Sequence, residues 1–149
     1  MDSMTPREFY DRFTRPAIDH WLKHQGVDHL AVHALSQLAI LSDVAAANAS
    51  EEGYRRRLEE KHAVLRTIRE AHNSHKHGWP GENQKRKHFN QGQRVEETLG
   101  VGFFAGVSFI GGPPTPYKFM GIDDGDIEAE NVGAMILDGL LAWQRELGL

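Results

Sequence analysis

The chain contains no cysteine. That one absence excludes disulfides, cysteine nucleophiles and thiolate metal sites together, and a reducing, cytoplasmic setting is the expectation. No apolar run approaches the ~20 residues a helix needs to cross a bilayer, so no membrane partner is expected. The N-terminal MDSMTPREFYDRF lacks the apolar centre of a secretory signal. There is no Walker loop, and Gly100-Val-Gly102 and Gly111-Gly112 lack the strand–turn–helix setting of a dinucleotide fold. No Gly-x-Ser-x-Gly elbow occurs. Asp123-Asp124-Gly125-Asp126 is acidic but falls short of a calcium loop, so a turn is expected there.

What remains is a chain of 149 residues, the size of a single domain spanning 1–149. A chain of that length can bury a core without a metal or disulfide. Its formal net charge is −4, but the charge is unevenly spread. Residues 54–94 hold 11 Lys or Arg against 4 Asp or Glu, while residues 1–53 and 95–149 are both acidic. A basic middle between acidic flanks suits two arrangements: it binds a polyanion, or it pairs with the protein's own carboxylates.

Residues 1–77 read as three helices. Thr5-Pro6-Arg7-Glu8 is a capping box with proline at the first helical position. Phe9, Phe13, Ile18, Trp21 and Leu22 give an apolar face, which Pro16 kinks or divides. The second helix, from about Asp28 to Ala47, is apolar almost all round and belongs in the middle of a bundle. The third starts after Ser50 as cap, with a Glu52–Arg56 pair, and stops by His77 ahead of Gly78 and Pro80. Residues 78–97 are a basic, polar loop. Residues 98–122 read as a β-hairpin, VGFFAGVSFI and YKFMGI joined by GGPPTP. The segment 126–147 forms a C-terminal helix, regular from about residue 128, with Val132, Ile136, Leu140, Trp143 and Leu147 on its inner face. The expected class is mainly α (α+β): a helical bundle of three N-terminal helices, a β-hairpin and a C-terminal helix.

Nine histidines are the chemical feature of this chain. His20/His24 and His29/His33 have the i,i+4 spacing of helical metal pairs, but Trp21 and Leu30 stand where a zincin carries glutamate. In AHNSHKHGWPG, residues 71–81, His72, His75 and His77 crowd a helix end. His62, His72 and His75, with a carboxylate from Glu59, Glu60 or Glu70, form one candidate set for a divalent metal such as zinc. The alternative is that His72 packs on a neighbouring helix while His75 and His77 favour the negative helix end.

Arg66 precedes His72, and Arg69 precedes His75, with five residues between in each case. This Arg-x5-His spacing late in a helical region resembles the HEPN family of small RNA-targeting domains. The resemblance implies a dimeric, metal-independent endoribonuclease with Arg66, Arg69, His72 and His75 as catalytic candidates. Histidine would transfer the proton, arginine would hold the scissile phosphate, and the RNA 2′-hydroxyl would attack. Lys76, Trp79, Lys85, Arg86, Lys87 and Phe89 would then grip the RNA backbone and stack its bases. Asn73, Lys76 and His77 are also similar to an Asn-x-x-Lys-His helix end of small bacterial proteins, a resemblance that implies no activity. Three function classes therefore stand: an RNA-binding or RNA-cleaving protein, a histidine-based metal protein, and a non-catalytic module that dimerises through its second or last helix.

Overall fold

Thr5 opens the first helix as expected. Its hydroxyl accepts from the Glu8 amide at 3.2 Å, and the Glu8 carboxylate accepts from the Thr5 amide at 2.8 Å. The structure, a computed structural model, describes residues 3–76, 91–94, 117–123 and 126–149, with backbone alone at 74–76, 91–94, 117–123 and 126–130. It is mainly helical. In order come α1 (Pro6–Phe9), a π-helical turn (Tyr10–Thr14), α2 (Arg15–Lys23), α3 (Asp28–Asn48), α4 (Tyr54–Lys61), α5 (Ala63–Lys76), β1 (Gln91–Arg94), β2 (Tyr117–Asp123), β3 (Asp126–Asn131) and α6 (Val132–Leu147).

The π-helical turn absorbs Pro16. The proline falls in the first turn of α2, just after Arg15, whose amide donates to the Tyr10 carbonyl with the wider π spacing. The wider turn also rotates the apolar face. Tyr10 and Thr14 turn inward and are buried, while Phe13, expected on that face, turns out and is half-exposed. Thr14 is fully buried and donates its hydroxyl to the Gln37 carbonyl of α3 at 3.4 Å.

α3 is the central helix, packed against α1, α2, α4, α5 and α6. Ala31, Ala34, Ala39 and Ala45 are buried along it beside Leu35, Leu38 and Leu41. Its 21 residues are long and apolar enough to cross a membrane by length and composition, contrary to the expectation that no run would be. Here the apolarity has a structural use, since a helix with neighbours on several sides has little solvent face to fill with charge. Trp21, Trp143, Ile18, Leu65, Ile68 and Ile136 complete the core around it. Burying each such side chain contributes roughly 1.5–3 kcal/mol.

The expected third helix, 50–77, is two. Its cap is Gly53 in the left-handed conformation (φ +82°) rather than Ser50, so the chain turns three residues later. The expected Glu52–Arg56 pair is replaced by Arg56–Glu60 at 3.0 Å and Arg57–Glu51 at 2.5 Å. A break at His62 (φ −130°, ψ 86°) then separates α4 from α5. Nothing local in Glu-Lys-His-Ala breaks a helix. The break accompanies a long-range bond from the His62 ring to Glu146 of α6.

The second half departs further. Gln91–Arg94, expected in the loop, forms β1, and β1, β2 and β3 make an antiparallel sheet in that order. The expected 98–122 hairpin is not what these pairings give. Its first strand lies outside the described residues, and residues 117–122 pair with β1 on one side and β3 on the other. Residues 126–131, assigned in the sequence to the last helix, are β3, and α6 starts at Val132. Asn131 is the helix cap, its side chain accepting from the Ala134 amide at 3.1 Å. An Asp-Asp-Gly-Asp turn suits a strand connection as well as a helix start, and the pairing of Asp123 with Asp126 decides for strands.

Candidate functional site

The described part of the basic middle, residues 54–73, is matched by the protein's own acids. Arg55 pairs with Asp43 of α3, Arg56 with Glu60, and Arg57 with Glu51. Lys61 reaches Glu146 of α6 at 2.7 Å, and Arg66 reaches Glu70 at 3.1 Å. Arg69 holds Glu59 with two hydrogen bonds, at 2.5 and 3.1 Å. Every Lys and Arg between 54 and 73 therefore has a carboxylate partner.

Those pairs include both catalytic arginine candidates. Arg66 lies on the surface, 60% exposed, and Arg69 is tied back to α4. The Arg69 guanidinium is held in its charged form chiefly by the hydrogen bond to Glu59, which outweighs the opposing effect of burial. His72 is half-buried, and its Nδ1 lies 3.2 Å from the Ser36 hydroxyl of α3. His75 and Lys76 are placed in α5 by backbone alone. Trp79, Lys85, Arg86, Lys87 and Phe89 lie outside the described residues, as do His77 and His88.

The metal candidates are also divided. His62 binds Glu146 while His72 binds Ser36. Among the described residues no three His, Asp or Glu side chains converge. His20 and His24 stack edge to face, ring centroids 5.4 Å apart, on the surface, and His29 and His33 are exposed.

The side chains that do gather lie elsewhere, where the α4–α5 break meets α6. Glu146 Oε1 accepts from Lys61 Nζ at 2.7 Å and from His62 Nε2 at 2.8 Å. The His62 side chain is only 9% exposed and that of Glu146 19%. Burial pushes the Glu146 carboxyl up, but Lys61 and His62 together hold it below its ordinary value. Beside this bridge is an open hollow of about 340 Å³. Val64 and Ala142 line it with Leu141, whose exposure is 52%, and Asp138 and Arg145 flank it on α6. Sequence reading overlooked Leu141 because it followed the inner stripe of α6, Val132, Ile136, Leu140, Trp143 and Leu147. The signal was there: Leu141 lies one residue past Leu140, off that stripe, between charges of opposite sign at 138 and 145. No family model, curated protein or solved structure matches the chain.

Proposed function

We propose that this protein is a non-catalytic, self-associating helical module whose contact face is the outer side of α6. In this reading the N-terminal helices and α6 form a helical bundle that serves as scaffold. The observation that carries it is Leu141. It is a large aliphatic side chain, 52% exposed, in a hollow it shares with Val64 and with the charged or polar Lys61, His62, Asp138 and Arg145. An exposed apolar side chain bordered by polar groups suits a protein contact. Phe13, another exposed large apolar side chain, is already covered in part by local stacking, with the Phe9 ring 5.1 Å away and the Arg12 guanidinium 5.6 Å from its centre.

The RNA-cleaving reading centred on Arg66, Arg69, His72 and His75 has less support. A phosphate must displace Glu70 or Glu59 before it meets either arginine. Displacing a carboxylate from a two-bonded arginine costs more than filling an open site. Sedimentation equilibrium tests the proposal: the wild type should be dimeric and Leu141→Asp monomeric, with the same helical circular dichroism. A wild type that stays monomeric over the accessible concentration range sinks it.

A further inference from the structure

Resting on that reading, we infer that the partner is a second copy whose α6 lies antiparallel across a twofold axis passing between Leu141 and Ala142. Asp138 and Arg145 are seven residues apart, about 10.5 Å or two turns along the helix. They share a stripe with Leu141 and flank the same hollow. Among the described residues neither side chain has an ion-pair partner, although the six Lys and Arg between 54 and 73 each have one.

A twofold axis converts that arrangement into self-complementarity. In a contact of this symmetry the same patch faces itself, so residue i meets j and j meets i. With the axis midway between 141 and 142, each Asp138 lies opposite the partner's Arg145. The two Leu141 side chains meet beside the axis, while Ala142, 4% exposed, packs into its own core. Leu141 then fills space in the hollow beside Val64. A parallel pair in register would set Asp138 against Asp138 and Arg145 against Arg145, and like charges brought together oppose association. The charge order along α6 thus selects the antiparallel arrangement over the parallel one.

The absence of cysteine makes the geometry directly testable. A disulfide needs Cα atoms roughly 4.4–6.8 Å apart. Under mild oxidation, Leu141→Cys should cross-link to itself. Asp138→Cys alone and Arg145→Cys alone should not, since their copies lie on opposite sides of the axis, about 10 Å apart along the helix direction. An equimolar mixture of Asp138→Cys and Arg145→Cys should give the mixed dimer. A second, covalent-free arm uses charge: Asp138→Arg and Arg145→Asp should each weaken the dimer at least tenfold, and the double exchange should restore it. Self-linking of Asp138→Cys overturns the antiparallel geometry. So does a dimer that Leu141→Asp breaks but whose charge exchange gives no rescue, and in that case self-association through α6 stands. A monomeric wild type removes the reading beneath it.

Discussion

Glu146 is the residue of α6 that meets the α4–α5 break. One oxygen takes hydrogen bonds from Lys61 and His62, and both donors lie at the end of one helix and the start of the next. Its carboxyl is held below the ordinary value of 4.5 in the folded chain, Lys61 and His62 more than offsetting burial. Because the folded value is the lower one, the charged form contributes stability above pH 4.5 that is lost as pH falls through the folded value. Glu146→Gln should therefore flatten the acid limb of a urea-midpoint profile while costing about 1–3 kcal/mol near neutrality. Glu8, lowered chiefly by its hydrogen bond to the Thr5 amide, keeps a share of acid sensitivity in both proteins. Acid limbs of equal slope in wild type and Glu146→Gln would show that the bridge does not couple protonation to folding. None of this was legible in the sequence, where His62 and Glu146 are 84 residues apart and neither stands in a motif. His72 was legible as a helix-end imidazole, but its partner, Ser36, was not.

Local chemistry writes some element boundaries and leaves others to the fold. The Thr5–Glu8 box was legible because both partners lie within one turn. Gly53 was less so, since Ser50 offers an equally good cap in a free peptide. Its left-handed conformation selects glycine, and a Cβ there meets nothing within 4 Å. Gly53→Ala should thus lose about 1–2 kcal/mol through backbone strain alone. Thermal unfolding measures this, and an unshifted midpoint would mean the α3–α4 link rearranges freely. The start of α6 follows the same logic. Asp126–Asn131 has helix-compatible residues, yet strand pairing claims them and moves the cap to Asn131. The π-helical turn has no sequence signature beyond Pro16, which announces an irregularity without stating which kind.

At the scale of the molecule, the decisive contact is α6 on the α3–α5 surface. A Cβ built on Gly139 would lie 2.6 Å from Ile68 Cδ1 and 3.1 Å from Leu38 Cδ1, both of them fully buried side chains. Gly139→Ala should destabilise by about 1 kcal/mol, overpacking outweighing the gain in helix propensity. Ile68→Val, which removes the offending methyl, should recover part of that loss in the double variant. Additive losses in a double-mutant cycle would deny the close approach.

The sequence by itself determined the mainly helical class, the central place of α3 and the inner face of α6. Those properties follow from apolar spacing along one segment, which is information carried within a few turns. The tertiary structure decided the break at His62, the pairing of the cations between 54 and 73 with carboxylates, the strand at 126–131 and the outward placing of Leu141. Each depends on which distant segment lies alongside, and no local pattern encodes the identity of that neighbour.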